Sequence, residues 1–546
     1  MTRSYMRKTM IACALCVALT GCSRVGENGG PQSQARAAWT IPGVARVAVQ
    51  TEPLSLNPAL ARDVAEVDIE GAVFDGLVKF DDKRDLVPDL ATEVPTMANG
   101  GIARDGVTLT YHLRPHVLWQ DGAPLTSADV LFTYRTLVSK TINSPYTGFY
   151  RTYIRSVTAP NAQTVVVRLT HPHAAAIGRV FTAASDGLIL PQHILGHSGD
   201  INTDPFNGSP VGSGPFRVAH WDHGSAIVLK AFAGFFGGAP HLHEIDVQIV
   251  PNQNTLDTML GDHEIDVAGV IPSEYATVKK MDGYRVMLVP STTLRLLSFN
   301  VARRPFDDVA LRRALVMALD RPAISSHTTN GIGLRATSLL PPDSWGYTSA
   351  DGALPYDPAA ARALLHADGW TPGPDGVLVK NGRRLEFALV TYAGTSADQG
   401  LPEVLQARWR AIGADVSIRY VPISVMYGEP GITADGNFDV SLDGFIFEAD
   451  PDRVNYLEPR FDRPHGGNQA RYDDADVTAW SEAALSTYDR SARAKLYALI
   501  AKRVNRDVPY VPLHWQRFVY VVNADLRGFK PEPLISDFWN VQEWSD

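Results

Sequence analysis

Cysteine is absent from this 546-residue chain after position 22; the three present are Cys13, Cys16 and Cys22. The body of the protein therefore has no disulfide available, and its stability must come from buried apolar surface, which a chain of this length can supply. The sequence also lacks Gly-x-Ser-x-Gly, Ser-x-x-Lys, His-Glu-x-x-His and Gly-x-x-x-x-Gly-Lys-Ser/Thr patterns. No motif thus proposes a nucleophile with its base, a zinc-protease helix or a phosphate loop. Positive charge is in deficit as well: 50 Lys and Arg face 59 Asp and Glu, for a net charge of −9. Such a surface suits nucleic acid poorly, because phosphates are bound by clustered Lys and Arg.

The amino terminus carries a different signal. Arg3, Arg7 and Lys8 precede a short apolar stretch from Thr9 to Leu19, and Leu19-Thr20-Gly21-Cys22 follows. The stretch is too short for a membrane span and reads as an export signal, 1–21. Leu-Thr-Gly-Cys resembles the lipobox of bacterial lipoproteins, so Cys22 is the expected lipidation site and the membrane anchor. Removal of 1–21 takes away three positive charges and no acid, leaving the mature chain more acidic. Residues 22–40, rich in Gly, Gln, Ser and Ala, read as a flexible tether.

Beyond the tether, helices and short strands alternate. Thr126-Ser127-Ala128-Asp129 is a capping box ahead of Val130, Leu131, Tyr134 and Leu137. Asp307 is the expected cap of a helix through Leu311, Leu315 and Leu319. Asp357-Pro358 opens another helix, ended by Gly369, and Pro402 to Ile412 is an amphipathic helix closed by Gly413. Strands are expected at Val44–Val49, Thr108–Leu113, Thr164–Leu169, Ala226–Leu229, Ile245–Val250, Arg285–Val289, Leu294–Asn300 and Tyr510–His514, with an alternating run from Ala414 to Tyr420. This mixture predicts an α/β class. His-Glu-Ile-Asp-Val occurs at 243–247, entering a strand, and at 263–267, turning into one; two copies do not make a repeat array.

The segments, taken in order, resemble the extracellular solute-binding proteins of peptide and nickel ABC transporters, family 5. The resemblance rests on Leu56-Asn57-Pro58, Phe74-Asp75-Gly76-Leu77, Leu86-Val87-Pro88-Asp89-Leu90-Ala91 and the long stretch Trp119 to Val130. It continues through Val211-Gly212-Ser213-Gly214-Pro215-Phe216, Phe299-Asn300, Leu311 to Leu315, Phe438-Asp439-Val440 and Asp507 to Leu513. It implies a two-lobed periplasmic-binding-protein-like fold of type II, with an extra subdomain in the first lobe. Lobe I is expected at 41–85, 206–290 and 513–546, the inserted subdomain at 86–205, and lobe II at 291–512. The crossings near 290 and 512 are then the hinge.

The same resemblance implies a function without catalysis or cofactor. A monomeric, lipid-anchored extracytoplasmic receptor would capture a peptide or similar small solute and deliver it to permease subunits served by separate ATPase subunits. Sensory or scavenging peptide binding, carriage of a metal complex, and cell-wall hydrolysis are the alternatives. In peptide-binding members an aspartate soon after a Gly-Trp element pairs with the ligand amine. Here Gly444-Phe445 stands for Gly-Trp, and Glu448 takes the acid's place when counted from the glycine. Counted back from Asp450-Pro451 the register is one short, so Glu448 and Asp450 read equally as rim carboxylates. Arg62 is expected to meet a ligand carboxylate or to be a solvated arginine. Tyr146, Tyr150 and Tyr392 are candidates for the cleft wall, as polar-tipped aromatics, or for packing. Asn300 is a candidate for backbone-like hydrogen bonding. Histidine pairs such as His171/His173 and His193/His197 have ligand-like spacing without a third ligand, so no metal site is assigned.

Overall fold

Val44-Ala45-Arg46-Val47-Ala48-Val49 packs apolar side chains on both faces, as a strand with parallel neighbours on both sides must, and forms strand β1 (Val44–Val49). The computed structural model describes residues 36–183, 187–348, 354–392, 400–532 and 534–546. The export signal, Cys22 and most of the tether lie outside these residues. Trp39 to Asp546 forms one compact unit. Among the described residues no helix is long and apolar enough to cross a membrane.

The two His-Glu-Ile-Asp-Val copies flank β1. The first enters β2 (Glu244–Ile249) and the second leads into β3 (Val267–Val270). Both pair with β1 in parallel, and Val47 is the register partner of Val247 on one side and Val267 on the other. The second copy's Asp266 accepts Nε and Nη2 of Arg46 at 2.8 and 3.0 Å and Nδ2 of Asn523 at 2.8 Å. This buried carboxylate is thus paired and hydrogen-bonded, which makes its burial tolerable.

Two long antiparallel strands extend the sheet. β4 (Tyr284–Phe299) and β8 (Tyr510–Asn523) pair from Tyr284↔Asn523 to Pro290↔Arg517, and again from Leu294↔Trp515 to Ser298↔Tyr510. The ladder is irregular between Pro290 and Leu294, where proline has no N–H to donate. On the far side of this break β4 pairs with β7 (Val440–Ile446), which is followed by β5 (Glu386–Tyr392) and the edge strand β6 (Asp415–Val421). Together with the strands Phe216–Asp222, Ala226–Ala231 and Leu334–Arg335 this makes one eleven-stranded sheet among the described residues. A separate three-stranded sheet, Thr108–His112, Thr164–Leu169 and Ile154–Asn161, carries the helix Ser127–Val138.

The capping box at Thr126 forms as expected, its side chain and that of Asp129 each accepting the other's backbone N–H. Other boundaries shift. The helix Val309–Met317 is capped by Asp308, not Asp307, because it starts one residue later; Asp307 instead pairs with Arg304. Its stripe Leu311, Leu315 and Leu319 is fully buried. The helix expected at Pro402 starts at Leu401, placing Pro402 in the first turn. The two strands expected around 290 are one, and the strand at 510 runs nine residues past His514 to Asn523. Gln516 and Arg517 hide that continuation from a reading of hydrophobic alternation.

Asp75, from Phe74-Asp75-Gly76-Leu77, is buried and accepts Ser213 Oγ at 2.7 Å. Burial, and then the nearby Asp89 charge, push its carboxyl up to about 8, with Lys79 opposing. An acid whose folded pKa is raised favours the fold while protonated. Its contribution is therefore lost as pH rises from about 4 through about 8. We expect Asp75→Asn, which keeps an acceptor for Ser213, to gain about 1–3 kcal/mol over the natural protein near pH 8 and little near pH 4. Urea unfolding at the two pH values measures this difference.

Candidate functional site

Side chains alternate along β7, so Asp443 and Phe445 face one side of the sheet and Gly444 and Ile446 the other. On the first side Phe445 is buried. It stacks on Tyr456 at 4.9 Å between centroids and meets Phe447 and Tyr510 edge-on. Asp443, also buried, accepts hydrogen bonds from Tyr427, Ser298, Ser441 and Gln469, and burial raises its pKa. On the other side Gly444 lies against a guanidinium–phenol pair: Arg295 Nη1 donates to Tyr392 Oη at 2.8 Å. A Cβ on Gly444 would sit 3.1 Å from that Nη1 and 3.2 Å from that Oη. Ile446, on the Gly444 face, is 71% exposed.

The chain then leaves the sheet and reaches Glu448. Its carboxylate, 61% exposed, is 3.1 Å from Arg179 Nη1 of the inserted segment. Around this pair lies a cavity of about 80 Å³ lined also by Phe80, Gly178, Ala449 and Asp450. Those last four residues also line a larger cavity of about 740 Å³, whose walls include Met97, Ile177, Trp345, Tyr488, Arg490 and Arg493. Polar contacts bridge the walls. Arg490 Nη1 pairs with Asp85 at 2.8 Å, Arg84 Nη1 with Asp343 at 3.1 Å, and Tyr488 Oη donates to Gly106 O at 2.6 Å. Ala175 packs in one apolar group with Val454, Leu485 and Phe461. Within one wall Arg493 donates to Asp450 at 2.6 Å and to Tyr497 Oη at 2.7 Å. Sequences before about residue 180 and after about 340 therefore meet around the cavity.

Of the expected residues, Glu448 borders the smaller cavity, while Gly444 and Tyr392 meet at the Arg295 pair. Phe445 is a core residue, because strand alternation turns it away from Gly444. Asn300 is buried and spends its amide on Gly436 O and Phe438 O at 2.9 and 3.1 Å. Tyr150 is fully buried and its Oη accepts Phe181 N at 3.0 Å. Tyr146 precedes the helix Thr147–Tyr153. Arg62 is exposed and donates to Asn143 O at 2.7 Å. None of these four lines either cavity. Trp345, Arg490 and Arg493 escaped sequence reading. The one available signal was the spacing of Arg493 and Tyr497 on a helix capped by Asp489.

Two histidines have carboxylate partners, His193 Nε2 at 2.8 Å from Asp121 and His223 Nδ1 at 3.1 Å from Glu52, and burial pushes His173 down to about 4. Among the described residues no three or more His, Cys, Asp or Glu are grouped to hold a metal ion.

Residues 85–468 match the sequence model of the bacterial extracellular solute-binding proteins, family 5 Middle. The chain is 28% identical over 502 residues to the oligopeptide-binding protein AppA of Bacillus subtilis, covering 90% of each. It is 30% identical over 522 residues to Protein XP55 of Streptomyces lividans, covering 95% of this chain and 91% of that one. The structure of AppA from Bacillus subtilis in complex with a nonapeptide superimposes with a TM-score of 0.72 at 26% identity, over 92% of this chain and 99% of that one. NikZ from Campylobacter jejuni in complex with Ni(L-His) gives 0.74 at 26% identity, over 93% and 100%.

Gly444→Ala should displace the Arg295–Tyr392 pair and cost about 1–3 kcal/mol, as other insertions into close packing do. Thermal denaturation of the variant beside the natural protein measures the loss.

Proposed function

Because the chain belongs to the bacterial extracellular solute-binding proteins, family 5, and has their two-lobed type II periplasmic-binding-protein fold, we propose that it is the receptor of an ABC importer that encloses a peptide between its lobes. In this reading lobe I is 41–85, 206–290 and 513–546, with 86–205 inserted, and lobe II is 291–512; the break in the ladder, between Pro290↔Arg517 and Leu294↔Trp515, supports the first crossing and favours a second one a few residues past 512. The irregularity between Pro290 and Leu294 supports a hinge there, since closure about a few residues is a common route to burying a small solute. The observation that carries the reading is the pair of adjoining cavities walled by both sides of that division. The larger, about 740 Å³, falls in the size range of small-molecule sites.

Exposed ion pairs are worth about 0–1 kcal/mol each. Arg179–Glu448 and Arg490–Asp85 would therefore favour closure without locking it, leaving the ligand to shift the balance. Peptide cargo draws support from AppA, and the exposed carboxylate of Glu448 is suited to an ammonium end. The receptor then presents its cargo to permease subunits, with ATP hydrolysis in separate subunits, while Cys22 holds it to the membrane by lipid.

Titration with pools of free-amino di- to nonapeptides, read by tryptophan fluorescence and calorimetry, is expected to show saturable binding. A folded protein that answers to no pool would refute peptide capture. Glu448→Gln should weaken free-amino peptides by roughly ten-fold, as loss of a charge-assisted bond does, and leave their N-acetylated forms unaffected; calorimetry of both series compares them. Cys22→Ser should move the protein from the membrane fraction to the soluble one with ligand affinity unchanged, as fractionation and titration will report.

A further inference from the structure

The larger cavity has an unusual balance between its charges and its apolar surface. Three arginines and three aspartates line it, yet the arginines and two of the aspartates already have ionic partners. Asp85 is held by Arg490 at 2.8 Å and Asp450 by Arg493 at 2.6 Å. Arg84 is shared between Asp343 at 3.1 Å and Glu532 at 3.3 Å. Asp489 is the N-cap of the helix Arg490–Asp507 and accepts Ala492 N at 2.6 Å, where the helix dipole favours its charge. A charged ligand group entering here would have to shed water and compete with partners already in place, which is costly.

Part of the apolar wall keeps open surface. Met97 is 44% exposed despite being a large apolar residue. Trp345 is half-buried, with Arg490 and Arg493 stacked 4.9 and 5.1 Å from its ring centre and Tyr497 edge-on at 5.8 Å. These neighbours hold the indole in place as a rigid wall. Phe80 and Ile177, each 8% exposed, close the apolar wall from the core side. Phe80, Gly178, Ala449 and Asp450 line this cavity and the one at Glu448 alike, so a ligand anchored at Glu448 projects its next groups into the larger space.

We propose that the cavity bounded by Met97, Ile177, Phe80 and Trp345 is a side-chain pocket that selects peptides carrying a large apolar residue, aromatic or branched aliphatic, near the amino end. The inference rests on the peptide-capture reading above and names the peptide class. Burial of such a side chain, compared with alanine, favours binding by roughly ten- to a hundred-fold.

The test is calorimetry with the tripeptide series X-Ala-Ala and Ala-X-Ala, where X is Phe, Leu, Ala, Lys or Asp. Phe and Leu are expected to bind at least ten-fold tighter than Ala at one of the two positions, with Lys and Asp no tighter than Ala. Met97→Asp and Trp345→Ala should each cut the Phe-to-Ala affinity ratio to below about three-fold. Met97 is exposed, so its variant serves if Trp345→Ala does not fold. Measurable binding with equal affinity across X, or with Lys or Asp preferred, would overturn the pocket and leave peptide capture standing. An unchanged ratio in Met97→Asp would overturn it too. If no tripeptide binds while longer peptides do, the same substitutions placed in a bound longer peptide decide by the same criteria. If no peptide of any length binds, peptide capture falls and the pocket assignment with it.

Discussion

The antiparallel pairing of Tyr284–Phe299 with Tyr510–Asn523 is the constraint on which the rest of the structure depends. One half of this ribbon is bonded to Val267–Val270 and through it to the first strand, and the other half to Val440–Ile446. Two groups of elements with separate hydrophobic cores are thereby tied to the same pair of strands. Bending such a ribbon breaks few bonds where it is already irregular, and Pro290 and the residues after it supply that place. The hinge proposed at this place would therefore cost few hydrogen bonds.

The ribbon also accounts for the use of charge. Inside each half, buried charges are tied down with several partners: Asp266 by Arg46 and Asn523, Asp443 by four donors, and Arg312 by backbone carbonyls at 306, 507 and 508. Two of the ion pairs between the halves are more exposed, with Glu448 61% and Arg490 55% open to water, while Arg84 of the third is 10% exposed. Solvent screening makes such pairs weak and reversible. A receptor that must release what it captures needs strong contacts within its moving parts and weak ones between them. The Arg179–Glu448 and Arg490–Asp85 pairs meet that requirement.

Much of the fold was legible in the sequence, for reasons that lie in local chemistry. Val44–Val49 and Thr164–Leu169 form as read, because alternation and turn residues bound them. The Thr126 capping box also forms, since its bonds are made within four residues. What was not legible depends on distant partners. Gln516 and Arg517 interrupt an apolar pattern, yet the strand continues because Tyr284–Phe299 lies alongside to receive its hydrogen bonds. The meaning of the two His-Glu-Ile-Asp-Val copies is of the same kind: only the sheet shows that both press on Val47. The candidate site was harder still. Glu448 could be reached by counting from a glycine, whereas Trp345 and Arg490 come from segments with no motif and become neighbours only through folding.

This difference bears on how Phe445 and Glu448 should be regarded. They belong to one short element in sequence, but alternation along the strand sends Phe445 into the core and the loop carries Glu448 out to a cavity. Phe445, standing where the resemblance implies a tryptophan, therefore contributes to core packing rather than to a cavity wall. Under the proposed function, the acid and the larger cavity beside it are what a solute would touch. With the arginines there already paired, shape and apolar surface have greater scope than net charge to decide what is held.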